Sequence, residues 1–442
     1  MARGRLLAAS LVALAPSTAL AHEPWTYGFG SRPAAMGGAV AADTTDFSAN
    51  YYNPAGLAGD TGLRLSIGYE YAINNLYAND RDSGVDPVHG LAFGVAAGGK
   101  VFGLFPLAIG IAAHIPDDGL SRVTALREGV PRWELYDSRA AVLFLTANAA
   151  IRPVDWLELG GGVSFLAATE GRFEITGTAK ALSPFDSHLR HQVDANLTSV
   201  RYPEAGLRFH LGRGADVALV YRHETKLELS LDALLHGDID FGGIGVPLTY
   251  TLESRTVAAF LPAQLVVGTS LHPVKDLHVN ADLSYVHWSG YDSPTAKTTA
   301  SLRAKPPPEV AVDLPADVQP TTPIPPAFED RVVPRLGVEW FVPGLDERAF
   351  ARVALRAGYV FEMSPVPPQS GLTNFMDADR HTFSFGAGAV MRQPNVSLDL
   401  HFAYSHLPER ITLKKDPADL VGDYRQRGEM LSFGATLGAG FR

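Results

Sequence analysis

The segment Met430–Phe441, MLSFGATLGAGF, alternates with a period of two. Leu431, Phe433, Ala435, Leu437, Ala439 and Phe441 fall on one side; Ser432, Gly434, Thr436, Gly438 and Gly440 fall on the other. Successive side chains of a strand point to opposite faces of its sheet, so this pattern predicts a strand with one apolar face and one small, polar face. LRLSIGYEYA (Leu63–Ala72), ARVALRAGYVFEM (Ala351–Met363), RHTFSFGAGAVM (Arg380–Met391) and SLDLHFAYSH (Ser397–His406) repeat it. A strand that crosses a bilayer at a tilt needs about 9–11 residues, and these segments have that length. A soluble sandwich also alternates. The charges Arg352, Arg356 and Glu362 on one face suit a wet lumen instead, and Tyr359, Phe361 and Tyr404 near strand ends suit interfacial girdles.

The connections support this. Tight turns at 152–156, 212–216, 273–276, 343–348 and 392–395 alternate with long segments near 116–137, 177–198, 235–255, 292–328, 364–379 and 414–427. Short turns on one rim and long loops on the other are the outer-membrane pattern. Strands are expected near 62–77, 88–100, 102–114, 138–151, 157–175, 199–211, 216–232, 256–272, 277–291, 329–342, 350–363, 380–392, 395–413 and 429–441. The predicted fold is all-β, a 14-stranded antiparallel transmembrane β-barrel. The Pro-rich stretch Lys305–Pro326 reads as an extended insertion, with a surface recognition arm as the alternative.

Composition narrows the function classes. The chain has 442 residues, a formal charge of −10 and no cysteine. That removes disulfides and Cys-ligated metal centres, and it argues against a nucleic-acid binder. Beyond the N-terminus no run of 18 apolar residues occurs; Val101–Ala113 and Val257–Leu271 are too short, so a helical membrane protein is not expected. Residues 1–21 have the form of a secretory signal peptide: Arg3 and Arg5, then LLAASLVALA, then ALA (Ala19–Ala21). Phe441, one residue before Arg442, reads as the terminal aromatic that assists barrel insertion. No G-x-S-x-G is present, HEPW (His22–Trp25) and RHETK (Arg222–Lys226) lack the second His of H-E-x-x-H, and His188 and His191 share only a loop. No enzyme, cofactor or metal is expected.

Residues 22–60 precede the first strand. They are polar and turn-rich, too long for a tail, and their simplest place is inside the barrel as a plug, followed by the barrel proper at 61–442. In Asn53-Pro54-Ala55 the proline fixes its own φ and biases Asn53 to an extended conformation, which makes a rigid corner.

GSRPAAMGGAVAADTTDFSANYYNPAGLAG (Gly30–Gly59) resembles the N-terminal hatch of the long-chain fatty-acid outer-membrane transporter family (FadL/TodX type). VHWSGYDS (Val286–Ser293), FEDRVVPRLGVEW (Phe328–Trp340), LRAGYVFEMSPVP (Leu355–Pro367) and DADRHTFSFGAG (Asp377–Gly388) are similar to further blocks of that family. The resemblance implies uptake of hydrophobic compounds such as long-chain fatty acids through a hatch-plugged barrel in the outer membrane. Aromatic hydrocarbons are the alternative cargo, and a general porin or structural barrel the alternative function. It implies lateral exit at an inward-bent third strand, here about Leu104–His114, where Pro106 and Gly110 are sites of weakened pairing; Pro106 could equally just begin the strand. Asn53, Pro54 and Ala55 should then sit near that bend. It also implies an outer hydrophobic groove in the fifth-to-sixth and seventh-to-eighth strand loops, carrying Leu182, Phe185, Leu189, Leu234, Leu235, Phe241, Ile244 and Leu248. These residues could otherwise pack together to cap the barrel. The expected partners are a hydrophobic small molecule, outer-membrane lipid and lipopolysaccharide; no nucleic acid is expected, and the chain is expected to be a monomer.

Overall fold

Fourteen strands run antiparallel in chain order, and the last pairs with the first. They are β1 (Gly62–Ala78), β2 (Val88–Val101), β3 (Phe105–Pro116), β4 (Phe144–Val154), β5 (Leu157–Leu166), β6 (Arg201–His210) and β7 (Ala215–Arg222), then β8 (Ala263–Val274), β9 (Leu277–His287), β10 (Arg331–Phe341), β11 (Phe350–Glu362), β12 (Arg380–Met391), β13 (Val396–Thr412) and β14 (Tyr424–Phe441). The sheet carries one further two-residue strand, Arg81–Asp82, which folds back on β1. Closure runs from Leu63 opposite Phe441 to Ala78 opposite Gln426, while β1 pairs on its other edge with β2. This computed structural model describes residues 23–59, 62–101, 105–117, 121–123, 131–136, 140–166, 169–179, 187–198, 201–212, 214–240, 245–292, 297–304, 324–343, 350–391 and 395–441. The expected signal peptide and most of the Pro-rich stretch lie outside them.

The wall has its apolar side outward. Ile109 and Ile111 of β3 are 57% and 50% exposed, whereas Ala108 and Ala112 between them are 2% and 0% exposed. In β14, Phe433, Leu437 and Phe441 are exposed, and Ser432 and Thr436 are buried inside. A soluble barrel would have the reverse arrangement. An exposed apolar belt around a closed sheet is stable only in lipid, where closure leaves no strand edge unpaired.

Two expectations change. The segments 177–198 and 235–255 are largely strand. Thr169–Ala179, Ser187–Thr198, Thr225–Asp240, Gly245–Leu261 and Lys297–Ala304 form a separate five-stranded sheet beyond the long-loop rim. The strands expected as single units at 157–175, 216–232 and 256–272 therefore split between wall and outer sheet. Pro262 marks one break, between Gly245–Leu261 and β8, because proline has no N–H to donate to a ladder. At β3 the expected weakened pairing is not seen. Its ladder to β2 runs unbroken from Phe105 to Pro116 and its ladder to β4 from Leu107 to His114. Gly110 is paired on both sides, and Pro106 lies one residue before the β4 ladder begins, where its missing N–H costs nothing on that edge.

Candidate functional site in the lumen

Residues 23–59 fill the lumen as short turns of helix: α1 (Glu23–Tyr27), α2 (Ser31–Ala35), α3 (Ala49–Tyr52) and a 3-10 turn, Pro54–Gly59. Glycines make the sharp reversals. Gly30 has φ +85°, and a Cβ there would lie 2.9 Å from the Phe47 ring; such backbone favours glycine.

The segment touches every strand of the wall. Tyr27 meets β1 at Asn74, Phe47 meets β2 at Gly94, and Asn50 meets β3 at Gly110 and β4 at Asn148. Pro54 lies on Gly160 of β5, Asn53 on Leu207 of β6, and Tyr51 accepts from Arg222 of β7. Ala41 packs on Gly268 of β8 and donates to Asp282 of β9; Arg32 pairs with Glu339 of β10. Gly37 abuts Gly358 of β11, α2 packs on β12 and β13, and Ser31 bonds Thr436 of β14. The small lumenal side chains of these strands are the room that the segment occupies.

Asn53 makes the corner that the sequence suggests. It is extended (φ −160°) and fully buried. Its Nδ2 donates to Ala41 O at 2.7 Å and Leu207 O at 3.3 Å, and its Oδ1 accepts from Ala55 N at 3.0 Å. This is an Asx turn closed around Pro54. The structure places Asn53-Pro54-Ala55 against β5 and β6, and the Pro54–Gly59 turn goes on to pack on β3, Leu57 and Ala58 sharing a buried cluster with Ala108. Gly160 and Gly206 lack the side chain that would block the corner, and β3 also receives Asn50, three residues before Asn53.

At the short-turn end, a belt of ion pairs ties the segment to the wall. Arg32 Nη2 is 2.7 Å from both Asp43 Oδ2 and Glu339 Oε2, and Arg356 joins Glu339 to Asp399 at 2.7 Å each. Arg208 donates to Glu158 Oε2 at 2.5 Å and to Thr44 O at 2.9 Å, and Arg152 also holds Glu158. Burial pushes the Asp43 carboxyl up, but Arg32 and His278 outweigh it and hold it well below the usual carboxylate range.

At the long-loop end the lumen is roofed by aromatic side chains from distant loops. Phe260, Trp288, Tyr291, Phe328 and Phe375 are buried together, with Trp25 of α1 packed against them. Trp25 meets Trp288 edge-on at 6.2 Å, and Phe328 meets Phe375 edge-on at 5.5 Å, the geometry that ring quadrupoles favour. The HEPW stretch, without a reading in the sequence, ends in this Trp25. Below the roof, a cavity opens between α1 and the wall, lined by Tyr27, Tyr51, Tyr52, Arg222, Arg335 and Arg380 among others. Arg222 donates to Tyr51 O, Tyr52 O and Gln264 Oε1, and Arg335 to Ser284 Oγ; the carboxyl of Asp282 lines the same cavity.

Of the eight residues expected in an outer groove, Leu182, Phe185, Phe241 and Ile244 lie outside the described residues. Leu189 and Leu248 are both register partners of Gly237, and Leu235 of His191 and Tyr250, so the outer sheet brings these positions together. Leu234, opposite Gln192 and Thr251, is 41% exposed. His188 and His191 are on the same outer strand.

Residues 137–439 match the family model described as outer membrane protein transport protein (OMPP1/FadL/TodX). No curated protein sequence matches the chain. Among solved structures, a Pseudomonas aeruginosa FadL homologue superposes with a TM-score of 0.61 at 13% identity, covering 94% of this chain and 98% of its own. The CymD monoaromatic hydrocarbon channel gives 0.56 at 16% identity, covering 94% and 98%. The Pseudomonas putida toluene transporter TodX gives 0.55 at 16% identity, covering 94% and 99%. At such identities the likeness concerns the fold.

Proposed function

The chain belongs to the OMPP1/FadL/TodX family of outer-membrane transport proteins, and from that premise we propose that it admits hydrophobic small molecules, long-chain fatty acids first among them, past a hatch formed by residues 22–60. The observation that carries this reading is the occupied lumen: residues 23–59 touch every wall strand, and an aromatic roof packs over their outer end. A polar porin has no use for either. An acyl chain gains about 0.8 kcal/mol for each CH2 removed from water. An apolar roof therefore draws it in, and the lumenal arginines offer its carboxylate a partner. The outer-sheet positions Leu189, Leu234, Leu235 and Leu248 serve as the first collecting surface. Exit runs sideways at β3, whose lumenal face carries the small residues Ala108, Gly110 and Ala112, followed by His114; since its ladders are intact, ligand has to open them by displacing α3.

Aromatic hydrocarbons are the second reading. The ring-lined roof favours them, and two of the similar structures are described as a monoaromatic hydrocarbon channel and a toluene transporter.

The test has two arms. In planar bilayers the intact protein should pass little steady ion current, and deletion of residues 23–59 should raise it. In cells, labelled fatty acid should enter faster with the protein than without it, and Asn53→Ala should slow entry; toluene is measured in parallel. A large steady current through the intact protein, or no acceleration of either compound, overturns the proposal.

A further inference from the structure

Two histidines lie beside the ion-pair belt, and its guanidiniums do not pair with them. His272 and His278 flank the short turn between β8 and β9, on the lumenal face, with their rings stacked 3.9 Å apart. Asp43 of the lumenal segment sits against them, and its Oδ2 is 3.5 Å from His278 Nδ1. That nitrogen is buried and makes no hydrogen bond of normal length, facing only Asp43 Oδ2 and, at 3.8 Å, Glu339 Oε2; the neighbouring Asn280 Oδ1 is also without a hydrogen bond. A buried imidazole nitrogen without a hydrogen bond is costly and wants a ligand. One ligand atom from each of Asp43, His272 and His278 lies within 4.8 Å of the others.

We propose that Asp43, His272 and His278 bind one divalent transition-metal ion of the zinc class, and that this ion clips the lumenal segment to the β8–β9 hairpin. Two imidazoles and a carboxylate are a donor set that suits such ions. A tetrahedral zinc with bonds of about 2.0–2.1 Å holds its ligand atoms about 3.3 Å apart. Asp43 and His278 approach to 3.5 Å, and His272, whose Nε2 is 3.2 Å from Ser270 Oγ, has to close from within 4.8 Å to this spacing. Arg32 Nη2 and Asn280 Nδ2 donate to Asp43 Oδ2, at 2.7 Å and 3.3 Å; they hold the carboxylate in place and leave its Oδ1 to bind the ion. Such supporting bonds are what fix metal ligands in place. Charge also permits a cation. The network joins three carboxylates (Asp43, Glu339, Asp399) to two guanidiniums (Arg32, Arg356), a surplus of one negative charge with neutral histidines. Asp43 lies 229 residues before His272 along the chain (272 − 43 = 229), so the ion would join the segment to the wall.

The experiment uses the full chain in detergent micelles, stripped with EDTA and titrated with zinc chloride in a calorimeter, with cobalt(II) absorption reporting the coordination number. One zinc per chain is expected, with His272→Ala and His278→Ala each weakening binding at least about tenfold. Heat-modifiable gel mobility confirms that each variant is folded. Zinc should also slow hydrogen exchange of residues 39–46 in the intact protein and leave it unchanged in the double-histidine variant. If the intact protein takes up no more zinc than the double variant, the site does not exist; if zinc binds without changing that exchange, it is not a clip. Neither result depends on which compound the barrel transports.

Discussion

Gly206 and Gly160 form the seat of the Asn53 corner. A Cβ at Gly206 would overlap Asn53 Oδ1 and lie 3.1 Å from Pro54 Cδ; one at Gly160 would lie 2.6 Å from Pro54 O. Backbone and proline ring cannot give way as a flexible side chain can. Gly206→Val should therefore push the corner off the wall at a cost of about 1–3 kcal/mol, the usual range for overpacking. The wall itself should survive, since the new side chain points into the lumen and leaves the ladders of β6 intact. The expected result is a higher steady conductance with unchanged heat-modifiable mobility. Conductance equal to that of the parent would mean that the seat does not hold the segment.

Among the elements, the loop between β11 and β12 has a pH dependence built in. Residues 131–136 and 364–379 are joined by Arg132 N donating to Asn374 O at 3.1 Å and Met376 N donating to Arg132 O at 2.7 Å. Asp377 lies in this cap, and burial raises its carboxyl to about 6 against the lowering effect of the Ser364 hydrogen bond. A carboxyl raised on folding means that the folded cap holds the proton more tightly than the unfolded loop. Its stability is then full below the unfolded value near 3.8 and declines as pH rises to about 6, by on the order of 2–3 kcal/mol. Hydrogen exchange of 131–136 and 364–379, corrected for its intrinsic pH dependence, should be slower at pH 4 than at pH 7.5. Asp377→Asn should abolish the difference. Equal protection at both pH values in the parent would show that Asp377 does not strain the cap.

For the whole molecule, the proposed sideways release through a closed wall can be tested at the seam between β3 and β4. Ile111 of β3 and Ala147 of β4 are register partners, and the chain has no cysteine of its own. Ile111→Cys with Ala147→Cys should, once oxidised, lock that seam. If release runs between β3 and β4, uptake stops on oxidation and returns on reduction. Uptake that continues through the locked seam would move the exit elsewhere in the wall.

The architecture was open to a reader of the sequence because alternation is local. Each of β1, β11, β12, β13 and β14 displays its lipid face and its lumenal face within a dozen residues, and short turns announce which rim is which. The small, polar second face, Ser432 to Gly440, even carried the imprint of a filled lumen. The outer sheet was not expected because part of it reads as a continuation of the strands at 157–175, 216–232 and 256–272, and the rest lies past the length a bilayer needs, in segments that read as loop. What tertiary structure alone decided are the contacts across the lumen: Asn53 on β6, Trp25 under Trp288, Asp43 beside His272 and His278. These join residues hundreds of positions apart, and their pairing is set by how the closed barrel orients fourteen strands around one segment, a geometry that no short window of sequence contains.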